Sequence, residues 1–445
     1  MNTPFVRLAA PCAAFLLALL GGLAGCGPAP VPAPVSGPAA APAPADMAAL
    51  GHQAFFDASL SASGRQSCAS CHSPAQGYGP PNGRAVQLGG EHLDREGLRA
   101  VPSLRYVLPR TPRWFKQYQR DPIEREIEIE SVPTGGFARD GRFDSLHEQA
   151  RAPLFDPAEM ANRDDADLAA KLRRAPYAAE FARVFGASVL ADDAKAVASL
   201  ALALERFQLD DPSFAPYTSR FDDYLRGQVP LSPQELRGLR LFADPAKGNC
   251  ASCHTVAPGA NGAPPLFTDY SFANLGVPRN RRLAANADAG FFDIGLCGPL
   301  RGRQGASAAP VEEKFCGMFK TPSLRNVAAR RVFMHNGVFD DLADVVRFYA
   351  ERDTRPARWY GRTSTGVVDR FDDLPPAYRD NVDHLTPPMD RRPGERPALT
   401  EAEVQAIVAF LRTLTDTDVR PPTDAAHARH AMPEARRKRP RRRPR

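Results

Sequence analysis

The chain has 445 residues, 43% hydrophobic and 24% charged, which is too long for one small core, so two domains are expected. Its formal net charge is +6. From Pro421 onward nine Lys/Arg stand against two Asp/Glu, a net of +7, which leaves about −1 for the rest. The basic character is a property of the tail, and it excludes a nucleic-acid footprint on the body of the chain.

Residues 1–25 read as an export signal. Arg7 supplies positive charge, and the apolar run Leu8–Leu20 is too short for a membrane span. Leu23-Ala24-Gly25-Cys26 has the form of a bacterial lipobox, with Cys26 as the lipid-attachment site. Gly27 is not the Asp of an inner-membrane retention signal, so an outer-membrane anchor facing the periplasm is expected. Residues 26–46 are mostly Pro and Ala and predict a semi-rigid extended spacer. Residues 421–445 form a self-repelling basic block predicted to be disordered.

Two pentapeptides dominate the body: Cys68-Ala69-Ser70-Cys71-His72 and Cys250-Ala251-Ser252-Cys253-His254. Each is a C-x-x-C-H heme-attachment motif. Two thiols at this spacing add across the vinyl groups of one porphyrin, and the adjacent His reaches its iron. Two covalent c-type hemes follow, with His72 and His254 as proximal ligands. A thioredoxin-like pair does not need the His twice, and a zinc site needs further Cys or His nearby. Of the remaining cysteines, Cys12 lies in the signal and Cys26 in the lipobox, which leaves Cys297 and Cys316 as a disulfide pair in an oxidising compartment.

The body also repeats itself. Gly51-His52-Gln53-Ala54-Phe55-Phe56-Asp57 before the first motif matches Gly238-Leu239-Arg240-Leu241-Phe242-Ala243-Asp244 before the second. Val101-Pro102-Ser103-Leu104-Arg105 matches Thr321-Pro322-Ser323-Leu324-Arg325, and the segment from Phe137 to Leu146 matches that from Phe333 to Leu342. The predicted fold is mainly α, with two tandem cytochrome c-like heme domains and long loops: residues 47–225 and 226–420. Capping boxes at Ser232 and Thr400 open helices, and Asp192–Gln208 is helical by composition. Period-2 strands are scarce.

Export, two heme motifs and this repeat together resemble the bacterial diheme cytochrome c peroxidase/MauG family over roughly residues 47–418. The resemblance implies a peroxidatic N-terminal heme and a low-spin, electron-transferring C-terminal heme. Counting fourteen residues from Arg139 and from His335 reaches Pro153 and Tyr349, which are therefore equivalent. Family peroxidases carry Met at the second position and MauG carries Tyr, so the C-terminal iron is expected to have His254 and Tyr349 as ligands, with Met318, Met334 and Met389 as fallbacks. Pro153 has no group that binds iron and leaves its heme open to peroxide. Gln149 and Glu159 match distal-pocket positions, Glu159 as the base that moves a proton between peroxide oxygens. His92 stands where some members carry a movable distal ligand.

Two departures from the family stand out. Arg139 replaces a Trp that relays electrons between the hemes. Ala100 replaces an Asn of the bridging calcium site, whose carbonyl ligands correspond to Arg330 and Val332, and this argues against calcium. The leading functional expectation is a periplasmic peroxidase that reduces hydrogen peroxide with electrons from a small cytochrome c or cupredoxin. The alternatives are MauG-like, peroxide-dependent oxidation of a partner protein's side chains and a non-catalytic diheme electron-transfer cytochrome. No nucleic-acid partner is expected, membrane contact runs through the lipid anchor, and a homodimer is left open.

Overall fold

Helices form where the chain supplies caps and a continuous apolar stripe. The structure, a computed structural model, describes residues 42–106, 111–119, 130–259, 262–302 and 310–420. The signal, Cys26, most of the spacer and the basic tail lie outside the described residues. Helix α1 (Pro44–Phe56) starts inside the stretch read as spacer, because proline in the first turn needs no N–H partner and its φ already suits a helix. Helix α2 is the short turn Cys68–Cys71. Then come α3 (Leu146–Phe155), α4 (Asp165–Leu172), α5 (Ala178–Phe185), α6 (Asp193–Asp210), α7 (Arg220–Leu225), α8 (Pro233–Ala243), α9 (Leu342–Glu351) and α10 (Glu401–Arg412). The capping boxes expected at Ser232 and Thr400 are formed, and a further one at Ser145 opens α3.

Among the described residues, strands form three antiparallel pairs: β1 (Leu88–Gly89) with β2 (Arg95–Glu96), β3 (Phe115–Gln119) with β4 (Glu130–Thr134), and β5 (Phe272–Ala273) with β6 (Phe319–Lys320). The β3–β4 ribbon was not expected from the sequence, which alternates poorly there. Among the described residues no helix is long and apolar enough to cross a membrane.

The sequence repeat is also a packing repeat. Helix α1 lies against α6, and α8 lies against α10. Each crossing is made at a glycine. A Cβ on Gly51 would stand 1.9 Å from the Ala203 carbonyl oxygen, and one on Gly238 would stand 1.9 Å from that of Ala406. Two main apolar clusters result, one built from residues between Leu50 and Phe214, the other from residues between Phe221 and Leu414.

The halves nevertheless belong to one compact unit. Reciprocal bonds join them. The Ala100 amide donates to the His335 carbonyl at 2.7 Å, and the Lys320 amide donates to that of Arg139 at 2.8 Å. These four residues are equivalent in pairs through the repeat. The two arginines of the repeated Pro-Ser-Leu-Arg segment also cross over. Arg325 forks onto Asp222 at 2.9 and 3.0 Å, with both side chains fully buried. Arg105 reaches Asp416 at 3.0 Å and Asp418 at 2.5 Å. Asp416 also accepts from the Tyr106 hydroxyl, and Arg325 lies 4.7 Å from the centres of the Tyr106 and Tyr217 rings. Buried charges like these are tolerable only when paired and hydrogen-bonded.

Candidate functional site: a cavity shared by both C-x-x-C-H motifs

One cavity of about 1240 Å³ is lined by both pentapeptides. Local chain geometry presents each motif. Ser67 and Ser70 form a capping box around α2, and Asn249 takes a left-handed turn, φ 48°, just before Cys250. The four thiols are free and half-buried. Burial pushes the Cys68 thiol up to about 12 and that of Cys71 up to about 11. Among the described residues no group of three or more His, Cys, Asp or Glu is arranged to hold a metal ion.

Each histidine is oriented by a backbone carbonyl. His72 Nδ1 lies 3.1 Å from the Tyr78 oxygen, and His254 Nδ1 lies 2.9 Å from the Phe267 oxygen. A proton on Nδ1 leaves the Nε2 lone pair for a metal, the usual arrangement of a ligating imidazole. Burial pushes His72 down to about 4 and lowers His254 as well, so both rings stay neutral. Two thiols and one oriented, neutral imidazole per motif, on a large and mostly apolar cavity, fit a covalently held heme.

Gln149, Pro153 and Glu159 all line this cavity. Gln149 and Pro153 are one turn apart on α3, and Pro153 lies within the helix. Glu159 follows in a turn whose amide bonds the Asp156 carbonyl at 2.9 Å. Its charge reaches both Cys68 and Cys71, which puts it at the first motif. Glu159 is exposed and lines the cavity. Burial, reinforced by Asp156 and opposed by Arg142, raises its carboxyl to about 7.

His92 is not brought to the site. It is exposed in the turn between β1 and β2 and does not line the cavity. The base of that hairpin is held against the Glu159 turn, where a Cβ on Gly89 would stand 2.2 Å from the Ala158 oxygen and the Gly90 amide donates to the Glu159 carbonyl at 2.7 Å. The base of the hairpin is thus anchored, and its tip, which carries His92, is exposed. These two glycines were missed from the sequence; paired glycines in a loop are a weak signal of close backbone approach.

At the second motif, Tyr349 lines the cavity from α9 and makes no hydrogen bond with described residues. Burial, then the charges of Cys250 and Cys253, pushes its hydroxyl well above the usual range, so it stands close to those thiols. Of the fallback methionines, Met334 and Met389 line the cavity, whereas Met318 packs beside Phe272, Leu296 and Phe315. Met389 Sδ already faces the Arg352 guanidinium at 3.2 Å. The Cys297 and Cys316 sulfurs lie at bonding distance, with their Cα atoms 5.1 Å apart.

With this geometry in view, the di-haem cytochrome c peroxidase family model matches residues 45–230. MauG of Paracoccus denitrificans, a methylamine utilization protein, is 34% identical over 86% of this chain and 93% of its own length. The chain belongs to the diheme cytochrome c peroxidase/MauG family. It is accordingly an oxidoreductase of peroxidase type. Cytochrome-c peroxidase IdrP1 of Denitromonas iodatirespirans is 29% identical over 84% of this chain and 82% of its own length. The crystal structure of the diheme peroxidase BthA from Burkholderia thailandensis superposes with a TM-score of 0.75 at 44% identity, covering 85% of this chain and 87% of that one.

Two arginines stand on the wall of the cavity. Arg139, at the family's Trp position, lines the cavity and donates from Nε to the Ala100 carbonyl at 2.9 Å. Arg330 donates to the carbonyls of Val101 at 2.9 Å and Val332 at 3.3 Å. Of the oxygens at the calcium position, the Val332 carbonyl already accepts from Arg330, Ala100 has no side-chain oxygen to offer, and the half-buried cations Arg139 and Arg330 stand beside them. Calcium, which needs six to eight oxygen ligands, does not fit this donor set.

Proposed function

We propose that the chain is a c-type diheme peroxidase that reduces hydrogen peroxide to water with electrons from a small periplasmic redox protein. The observation that carries this reading is the wall formed by Gln149, Pro153 and Glu159 beside Cys68–His72 in the shared cavity. Heme bound there supplies the iron that exchanges electrons with peroxide. The chain's own groups do the rest. Glu159, poised near neutrality, takes the proton from one peroxide oxygen and returns it to the other. Gln149 orients the peroxide through its amide. Pro153 offers no donor that would occupy the iron. His72 and His254 serve as proximal ligands, Cys68, Cys71, Cys250 and Cys253 as the thioether sulfurs, and Cys297–Cys316 as a disulfide.

The signal-like start and Leu23–Cys26 support export to the periplasm and lipid attachment at Cys26. Tyr349 beside the second motif favours one other reading, in which oxidising equivalents are spent on the side chains of a partner protein, as its position at the MauG tyrosine suggests. The deciding experiment compares the purified holoprotein's peroxide consumption with a reduced small cytochrome and with candidate partner proteins. Multiple turnover of the reduced cytochrome supports the peroxidase. New cross-links or hydroxylations in a partner by mass spectrometry, without cytochrome turnover, support the other reading.

A further inference from the structure

Three cations line the cavity with no acidic partner. Arg139 bonds the Ala100 carbonyl, Arg330 the carbonyls of Val101 and Val332, and Lys320 Nζ the carbonyl of Gly136. Among the described residues no carboxylate stands within ion-pair distance of any of them. The carboxylates whose charge reaches this region are already used. Asp140 is held by Arg99 and Arg142 at 2.8 Å each, and Asp293 by Arg99 at 2.7 Å. The arginines, both on the cavity wall, retain further N–H donors, because the planar guanidinium carries five and the carbonyl bonds use one or two.

Clustered, half-buried cations of this kind are costly without a counter-charge. Burial pushes Lys320 down to about 8, Arg139 to about 9 and Arg330 to about 10, and the Arg330 charge depresses Arg139 further, as the Arg139 charge does Lys320. The Arg139 backbone is tied to that of Lys320 by a 2.8 Å hydrogen bond, so two of the three charges are held side by side from opposite halves of the repeat. Arg330 is the cation whose charge reaches His72. The cluster thus joins the first motif to the centre of the molecule.

We propose that Arg139, Lys320 and Arg330 form a carboxylate-receiving site that takes propionate groups of the bound heme, in place of a divalent-cation site. The inference rests on the diheme reading, since each heme c carries two propionates and the protein's own acids are spent elsewhere. Arginine suits the role because its fork matches a carboxylate in two parallel hydrogen bonds. The pairing also sets the charge beside the iron, and loss of a cation there favours the ferric state.

The test uses the full holoprotein and Arg139→Met, Arg139→Lys, Lys320→Met and Arg330→Gln. Pyridine hemochrome first counts hemes per chain, which tests the diheme reading by itself. Spectroelectrochemical titration then gives the midpoint potential of each heme, in chloride and in phosphate buffers, and elemental analysis gives bound calcium. The expected result is two hemes in every variant, a lowered midpoint in the three charge-removing variants, retention in Arg139→Lys, no dependence on free phosphate, and no stoichiometric calcium. Unchanged midpoints in all three charge-removing variants overturn the proposal. So do midpoints that follow the phosphate concentration, which would mean a free anion occupies the cluster, and so does one chelator-removable calcium per chain.

Discussion

Replacing Gly238 or Gly51 with alanine pits two effects of known size against each other. In an exposed helix the change is favourable by about 1 kcal/mol, because alanine costs less backbone entropy. Here the new methyl at position 51 would stand 1.9 Å from the Ala203 oxygen and 2.8 Å from the Phe207 Cβ. Reaching even 3.0 Å from that oxygen requires a shift of about 1.1 Å (3.0 − 1.9) between α1 and α6. A gap of that size forfeits at least a quarter of the contact energy across a packed interface. Leu50 and Phe55 on α1 and Leu200, Leu204 and Phe207 on α6 are all buried. At about 2 kcal/mol each they contribute about 10 kcal/mol, so a quarter is about 2.5 kcal/mol. Net of the helix gain, Gly51→Ala should destabilise by about 1.5 kcal/mol. Gly238→Ala should do the same against Ala406 and Phe410. Denaturant unfolding of the holoprotein followed by far-ultraviolet circular dichroism measures it. A midpoint equal to or above that of the parent for both variants would refute the crossing geometry and with it the packing repeat. The effect should also reach the site, because Phe55, Leu204 and Gln208 line the cavity.

The reaction with peroxide should accelerate as pH rises through about 7, where Glu159 becomes a base, and Glu159→Gln should lose that limb and about 10²–10⁴ in rate; a parental rate in the Gln variant by stopped flow removes Glu159 from the mechanism. Because this carboxyl is raised in the folded state from 4.5 to about 7, its contribution to stability is full below about pH 4.5 and is lost as pH climbs to about 7, so Glu159→Gln should flatten the fall in stability between those two values in thermal melts. Asp222→Asn strands the fully buried Arg325 and should cost about 3–5 kcal/mol in denaturant unfolding, and a loss under about 1 kcal/mol would mean the pair is dispensable. Burial alone would raise the Asp222 carboxyl, but Arg325 and Ser219 hold it below its usual value, so this contribution should persist at neutral pH and fade only in acid. Alkaline pyridine hemochrome should report two hemes per chain, and a ratio near one would contradict the doubled motif.

What the sequence determined by itself was everything encoded at short range. The C-x-x-C-H spacing presents two thiols and an imidazole on one turn, whatever surrounds it. Capping boxes at Ser232 and Thr400 start helices because their hydrogen bonds close within four residues. The equivalence of Pro153 and Tyr349 followed from counting along a repeat, and both line the cavity. Only the tertiary structure decided what distant segments do to one another. His92 has a suitable side chain and a suitable position in the chain, yet it sits at the exposed tip of a hairpin pinned by Gly89 and Gly90. Gly51 and Gly238 are ordinary helix glycines until a second helix crosses them at backbone contact. Arg139, Lys320 and Arg330 lie on three segments with no shared motif, and their excess of charge appears only once folding brings them to one wall and assigns Asp140 and Asp293 to other arginines. Local hydrogen bonding and covalent spacing are written in neighbouring residues, whereas burial, proximity and charge balance are sums over the whole packed chain.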